Sequence, residues 1–173
     1  GQAVDDLEEE FKIITQTPHA IGVGSGTDAI FLSLKALGID KGDEVITVPY
    51  TFYASVGPIV TAGARPVFVD VGDDYNMDPE KIEAAITPRT KAIIPVHWSG
   101  LICDMERISR IAKKHGLSIV EDACHAINAE RAGKRAGAHG TTACFSMHPL
   151  KSLNVMGDGG MVVTNDDRLA EWM

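Results

Sequence analysis

Several features that define other classes of protein are scarce or missing in this sequence of 173 residues. The three cysteines, Cys103, Cys124 and Cys144, are scattered, odd in number and form no CxxC pair. This pattern predicts reduced thiols in a cytoplasmic protein rather than a disulfide framework or a zinc site. The histidines near the predicted site show no ligand pair or spacing either, so we predict no metal site.

Basic residues and long apolar runs are also few. The chain has 16 Lys and Arg against 24 Asp and Glu, a formal net charge of -8. Nucleic acids and anionic membranes need a positive surface, so neither is expected as a partner. No apolar run reaches membrane-spanning length, and the amino terminus is acidic, unlike a signal peptide.

The sequence does contain an alternation of Val- and Ile-rich runs with helical patterns. The predicted helices span residues 3–15, 27–37, 51–63, 78–86 and 104–115. The predicted strands span residues 20–23, 44–48, 67–71, 92–96, 117–122, 141–147 and 161–164. This alternation predicts a three-layer α/β/α domain with a mainly parallel sheet of about seven strands.

In such sheets, ligands bind beyond the carboxyl ends of the strands. Segments that follow predicted strands are therefore expected along one edge, and they are residues 24–28, 50–52, 97–98, 122–125 and 146–151. The last segment belongs to the stretch FSMHPLKSLNVMGDGGMVV, in which a polar loop holds Lys151 between two apolar runs. Lys151 is either a loop lysine that reaches into water or an amine poised to form a Schiff base.

The glycine turn Gly22-Val-Gly24-Ser-Gly26 invites a nucleotide-binding interpretation. Thr27 stands where the third glycine of GxGxxG belongs, and the GK[ST] of a P-loop is absent, so both motifs are excluded. Two interpretations remain. The turn is either a tight turn with a threonine cap or an anion site at the amino terminus of a helix.

The other strand ends carry similarly open alternatives. Asp122 either caps a turn or keeps a ring nitrogen protonated by its nearby negative charge. Phe52 is either a core residue or an aromatic face that covers a flat ring. His125 and His148 are structural histidines in the simplest interpretation. Together, an anion cradle, an aromatic ring, an aspartate and a lysine form the set that pyridoxal phosphate (PLP) requires.

The chain closely resembles the sugar aminotransferases of the DegT/DnrJ/EryC1/StrS family, which have the aspartate aminotransferase type I fold. The matching pieces are GVGSGTDAI, GDEVITVPYTFYAS, AGARPVFVDV, ITPRTKAIIPVH, EDACHA and FSMHPLKSLNVMGDGGMVVTND, in the family's order. They span nearly all of the sequence, and EDACHA and the lysine segment are the most specific. The resemblance implies that residues 1–173 form the PLP-binding large domain.

Site residues follow from the same resemblance. It implies that Lys151 forms the Schiff base with PLP, Asp122 pairs with the pyridine nitrogen and Phe52 stacks on the ring. It also implies that His125, where many relatives have glutamine, approaches the phenolic oxygen. The phosphate would be held by the turn at Gly26, Thr27 and Asp28 and by the hydroxyl of Ser146.

The chain also departs from the family's pattern. We expect the carboxyl-terminal half of family members, with the small domain, and the amino-terminal leader that helps bind substrate to be missing from this sequence. Helical spacing begins at the first residues, and the last helical pattern stops after barely two turns. We therefore expect the sequence to be incomplete at both ends.

The function implied by the resemblance is PLP-dependent amino transfer to a nucleotide-linked keto sugar, with glutamate as donor. It implies a cytoplasmic homodimer in amino-sugar and cell-surface polysaccharide biosynthesis. One alternative is another PLP enzyme or a regulatory member on the same scaffold. Sugar dehydratases of the family have histidine at the lysine position, so Lys151 argues against them. A non-catalytic phosphate-binding domain is the alternative outside the enzyme class.

Overall fold

In the computed structural model, which describes residues 1–173, seven strands form one sheet in the order β1-β9-β8-β5-β4-β2-β3. These strands are β1 His19–Val23, β2 Glu44–Thr47, β3 Arg65–Phe68, β4 Thr90–Ile93, β5 Ser118–Asp122, β8 Thr142–Ser146 and β9 Gly160–Thr164. Two shorter strands, β6 Glu130–Arg131 and β7 Lys134–Arg135, form a separate antiparallel hairpin. The seven strands match the expected number.

The sheet is mainly parallel, as predicted. Strands β3, β2, β4, β5 and β8 pair in parallel, whereas β9 runs antiparallel to both of its neighbours, β1 and β8. The strand β9 is therefore inserted in the opposite direction between two strands whose carboxyl ends lie on the same side. Its first residue, Gly160, pairs with both Val23 and Ser146, the last residues of those strands.

Helices cover both faces of the sheet. They are α1 Gln2–Thr15, α2 Gly26–Ala36, α3 Gly57–Thr61, α4 Ile82–Ala85, α5 Met105–His115 and α6 Asp167–Trp172. Alternate strand residues enter two separate apolar clusters, since side chains of a strand point to opposite faces. One cluster includes residues of α1 and α5, and the other includes residues of α2 and α3. The three-layer α/β/α prediction is thereby confirmed.

Sequence signals account for the helix ends. The side chain of Asp104 accepts the N–H of Arg107 at 3.2 Å and so caps the start of α5. Gly116 ends that helix in the left-handed conformation, with φ of 66°. The side chain of Ser25 caps α2 in the same way as Asp104, by accepting the N–H of Asp28 at 3.0 Å.

Four predicted elements have wrong boundaries. The strand expected over 92–96 is Thr90–Ile93. The helix expected over 51–63 is a 3-10 turn at Tyr53–Ser55 followed by α3, and Gly57 and Pro58 lie at the junction. The helix expected over 78–86 likewise divides into a 3-10 turn and α4. The strand expected over 67–71 begins two residues earlier and ends three residues earlier, because its only partner, β2, ends at Thr47 before the chain turns away at Pro49.

No helix of the fold combines the length and the apolar character needed to cross a membrane. Nor does any group of three or more His, Cys, Asp or Glu side chains converge in the way that metal ligands do.

Candidate active site

The sheet brings three predicted site segments together at one edge. Strands β1, β5 and β8 all end there, and β9 begins there. A side-chain carbon built on Gly26 would lie 2.8 Å from Cβ of Ser146 and 2.9 Å from Sγ of Cys124. The glycine turn, the end of β8 and the segment after Asp122 are therefore in direct contact.

The glycine turn leaves an anion cradle at the start of α2. The backbone N–H groups of Gly26 and Thr27 donate no hydrogen bond within the chain, so they are free to bind an acceptor. Any side chain at position 26 would collide with the Ser146 and Cys124 side chains. The N–H of Asp28, by contrast, already donates to the Ser25 side chain at 3.0 Å.

Asp122 ends β5 and is 5% exposed. One of its carboxylate oxygens accepts the hydroxyl of Ser55 at 2.6 Å, and the other accepts the N–H of Cys124 at 3.2 Å. A carboxylate offers two lone pairs on each oxygen, so each oxygen retains one for a further donor. The carboxylate is therefore fixed in orientation and still able to accept a protonated ring nitrogen.

Lys151 lies on the loop between β8 and β9. Both ends of the loop are held, because the N–H of Met147 donates to the carbonyl of Gly159 at 2.8 Å. The backbone N–H of Lys151 donates to the carbonyl of His148 at 2.8 Å, which fixes a turn at the lysine. The half-buried side chain lines a small cavity together with those of Cys124, His125 and Ser146.

Electrostatics near the lysine affect two neighbours. Partial burial and the positive charge of Lys151 lower the pKa of His125, while the charge of Asp122 opposes the shift. His125 is therefore neutral at neutral pH, and its ring packs edge-on against Trp98, with 5.8 Å between the ring centres. Burial, and then the charge of Asp122, raise the pKa of Cys124 well above its usual value, so its thiol stays protonated.

Phe52 follows β2 at the same edge and is 61% exposed. Its ring contacts Tyr53, with 4.6 Å between the ring centres. The core interpretation of Phe52 is therefore wrong. Tyr50 and Trp98 form a second aromatic pair, with 4.6 Å between their ring centres.

Comparison with known proteins shows the family of the chain. Residues 1–173 match the DegT/DnrJ/EryC1/StrS aminotransferase family over their whole length. The chain belongs to that family. It is 51% identical over 172 residues to the pleiotropic regulatory protein of Geobacillus stearothermophilus. It is also 51% identical over 164 residues to the UDP-N-acetyl-3-dehydro-alpha-D-glucosamine 3-aminotransferase of Acidithiobacillus ferrooxidans.

A solved structure of the same fold is NtdA from Bacillus subtilis, determined with the bound cofactor PMP. Its TM-score to this family member is 0.95 at 35% identity, and the match covers 99% of this chain and 39% of NtdA. The match to the Geobacillus protein covers 99% of this chain and 46% of the relative. The match to the Acidithiobacillus protein covers 94% of this chain and 44% of the relative. The chain thus spans less than half the length of these proteins.

Some residues of this family member's site have no clear signal in the sequence. Ser55, which contacts Asp122, lies in a stretch whose helical pattern gave no reason to single out a serine. Cys124 was predicted only as a reduced thiol, yet it touches the cradle. His97 was expected along the site edge, but its side chain is fully buried and contacts Glu121 instead.

Proposed function

We propose that the protein is a PLP-dependent aminotransferase that converts a nucleotide-linked keto sugar into an amino sugar. The observation that carries this proposal is the convergence of Lys151, Asp122 and the free N–H groups of Gly26 and Thr27 at one edge of the sheet. These are the groups that a phosphorylated pyridine aldehyde requires, namely an amine, an acidic partner and an anion cradle.

Each part of the site fits a part of the cofactor. The phosphate would be held by the turn at Gly26, Thr27 and Asp28 with the hydroxyl of Ser146, and Lys151 would bind the cofactor covalently. Of the three turn residues, Asp28 has its N–H engaged by Ser25, so Gly26 and Thr27 carry most of the phosphate binding in this proposal. NtdA, a structural relative, was solved with PMP, the amino form of the same cofactor.

The remaining site residues would orient and protect the ring. The buried carboxylate of Asp122 would accept the pyridine N–H, Phe52 would cover one face, and neutral His125 would donate a ring N–H to the phenolic oxygen. Bound in this way, PLP supplies an electron sink for negative charge on the α-carbon of an amino donor. Once the donor's amine displaces it from the cofactor, Nζ of Lys151 would move the proton from that carbon to C4′ of the cofactor.

The substrate class and partners extend the proposal. The Acidithiobacillus relative is named for amino transfer at position 3 of a UDP-linked dehydro sugar, which supports a nucleotide-linked keto sugar here. We include glutamate as donor, a homodimer and a cytoplasmic location, on the family resemblance and on the free cysteines. We also propose that residues 1–173 act as the PLP-binding large domain, since the relatives are more than twice as long as the matched segment.

Lys151→Ala in the full-length protein tests the proposal. Wild-type protein mixed with PLP should develop a visible absorption band that borohydride reduction fixes, and mass spectrometry should locate the added mass on Lys151. The variant should lose the band, the fixed mass and amino transfer from glutamate to nucleotide keto sugars. Lys113→Ala, which alters an exposed lysine of α5, is the matched control. An unchanged band and full activity in Lys151→Ala would contradict the proposal.

A second candidate is a regulatory role, because one of the two relatives with 51% identity is named a pleiotropic regulatory protein. A regulatory member that keeps Lys151 would bind PLP but release no amino sugar from any nucleotide keto sugar tested with glutamate. A non-catalytic phosphate-binding domain would bind inorganic phosphate and show no visible band at all. Spectra and turnover measured on the same sample therefore separate the three functions.

A further inference from the structure

We propose that Ser55 is a positioning residue for Asp122, and that Thr51 fixes the direction of the Ser55 hydroxyl. The inference rests on the proposed function, because it concerns how Asp122 is held to accept the ring nitrogen of PLP. Ser55 is 2% exposed and belongs to the 3-10 turn Tyr53–Ser55, far in sequence from β5.

Hydrogen-bond chemistry decides which group donates in the contacts of Ser55 with Asp122 and Thr51. Oγ of Ser55 lies 2.6 Å from Oδ2 of Asp122 and 2.6 Å from Oγ1 of Thr51. An ionised carboxylate can only accept, so the single hydroxyl proton of Ser55 is donated to Asp122. Thr51 must then donate its own hydroxyl proton to Oγ of Ser55. The order of donation is Thr51 to Ser55 to Asp122.

Hydrogen bonds restrain the Asp122 carboxylate at both of its oxygens. Ser55 holds Oδ2, and the N–H of Cys124 holds Oδ1 at 3.2 Å, so rotation of the carboxylate would break a contact at either oxygen. Hydrogen bonds to a charged group are short and strong, and the 2.6 Å distance fits that class. Without Ser55, Oδ2 of a 5% exposed side chain would lose its partner.

Ser55 also links Asp122 to the aromatic side of the site. Its backbone N–H donates to the carbonyl of Phe52 at 3.0 Å, and Thr51 precedes Phe52 in the chain. The segment that presents Phe52 and the strand that presents Asp122 are thus joined through one serine. In the proposed function these two residues contact the same flat ring, so Ser55 fixes their relative placement.

A double-mutant cycle tests the positioning role. The dissociation constant for PLP is measured by equilibrium dialysis on the full-length wild type, Ser55→Ala, Asp122→Asn and the double variant. Ser55→Ala should weaken PLP binding roughly tenfold, the size expected for one hydrogen bond to a charged group. In the Asp122→Asn background the same change should have little effect, because the charged partner is already gone. Ser55→Thr, which keeps the hydroxyl, should stay close to wild type.

The controls separate positioning from folding. Ser33→Ala removes another buried serine hydroxyl, which meets Sγ of Cys144 at 3.4 Å, and should leave PLP binding unchanged. Should Ser55→Ala fail to fold, Thr51→Val removes only the donor to Ser55, and it should weaken PLP binding by a smaller factor in the same cycle. Equal losses from Ser55→Ala with and without Asp122, or no loss, would overturn the role of Ser55 alone. A wild type that binds no PLP would overturn the proposed function and this inference together.

Discussion

Nε2 of His97 lies 2.9 Å from a carboxylate oxygen of Glu121, and neither side chain is exposed to solvent. Nδ1 of the same ring accepts the N–H of Cys103 at 3.3 Å, so the ring donates to Glu121 through Nε2. Glu121 precedes Asp122 on β5, and because successive strand residues point to opposite faces, this contact lies on the face away from Asp122.

The other contacts of Glu121 reach the segment that leads into β8. Its carboxylate accepts the backbone N–H groups of Gly137, His139 and Gly140 at 3.1, 2.9 and 2.6 Å. With His97, four donors therefore converge on one buried carboxylate. Glu121 joins the segment after β4, the strand β5 and the entry to β8, and so stabilises three of the strands that form the site edge.

The contacts of Glu121 predict a dependence of stability on acid. Burial raises the pKa of this carboxyl, but hydrogen bonds from His97, and then those from Gly137 and Gly140, outweigh burial and lower the pKa below 4.5. A lowered pKa means that the contribution to stability is present above pH 4.5 and is lost as the pH falls through the folded-state pKa. Urea unfolding followed from neutral to acidic pH measures this loss.

Glu121→Gln should lower the free energy of unfolding at neutral pH by roughly 2–5 kcal/mol, since an amide group would face donors that need an acceptor. The control is Glu106→Gln, whose side chain is 84% exposed on α5. The difference between wild type and Glu121→Gln should shrink as the pH falls. A difference that stays constant down to strongly acidic pH would contradict the pKa direction.

A second acid-sensitive group is Glu44, at the start of β2. Its carboxylate accepts Thr87 at 2.7 Å, Arg65 at 2.7 Å and Arg89 at 2.6 and 2.9 Å. The hydrogen bond from Thr87, followed by those from Arg65 and Arg89, lowers the pKa of Glu44 to about 2. Its contribution should therefore be complete above pH 4.5 and should disappear as the pH falls to about 2.

Substituting Glu44 should thus have an effect that depends on pH. Glu44→Gln should destabilise the protein at neutral pH, and its unfolding midpoint should converge with that of wild type toward the low end of this window. Glu80→Gln, which alters a 75% exposed carboxylate near Arg107, should behave as wild type throughout. Parallel midpoint curves for Glu44→Gln and wild type would show that the carboxylate charge is not responsible.

Gly160 allows β9 to pass close to the anion cradle. A side-chain carbon at this position would overlap the carbonyl oxygen of Ser25 and lie 2.8 Å from the nitrogen of Gly26. Gly160→Ala should therefore cost about 1–3 kcal/mol of stability and displace the turn that binds phosphate. Thermal unfolding and dialysis against PLP measure the two effects. Gly57→Ala, with its nearest neighbour at 3.7 Å, should change neither.

Phe52 should show the opposite balance between stability and binding. Because its ring is 61% exposed, Phe52→Ala should change the free energy of unfolding by less than about 0.5 kcal/mol. In the proposed function it should weaken PLP binding roughly three- to tenfold through loss of the stacked ring. Ile13→Ala removes a 73% exposed apolar side chain on α1 and should affect neither quantity. Strong destabilisation by Phe52→Ala would indicate a core role instead.

The main architecture can be predicted from the sequence, because buried parallel strands and the helices that cover them have distinct hydrophobic patterns. Continuous apolar runs such as those through Ile46 and Val120 predict strands, and Gly116 predicts the end of α5. The boundaries that failed depend on partners elsewhere in the fold. The end of β3, for example, is set by where β2 leaves the sheet, and no local signal in residues 67–71 reports it.

The site is predictable to the level of strand ends but not of side-chain contacts. A parallel sheet places Asp122 and the lysine loop at one edge, and the cavity lined by Lys151 and His125 agrees with that placement. The contact of Ser55 with Asp122 depends on a 3-10 turn where the sequence predicts a helix. The orientation of His97 away from the edge follows from its partner Glu121, which sequence periodicity does not identify.

The antiparallel placement of β9 has a consequence for how the protein folds. Its pairing joins the first strand to the last, with His19 opposite Thr164, so this part of the sheet forms only from residues far apart in the chain. Contacts of such high sequence separation are slow to form, because a long loop must close first. The turn at Ser25 acquires its neighbour Gly160 only then. We therefore expect the earliest stretch of the anion cradle to be synthesised to be among the last to become ordered.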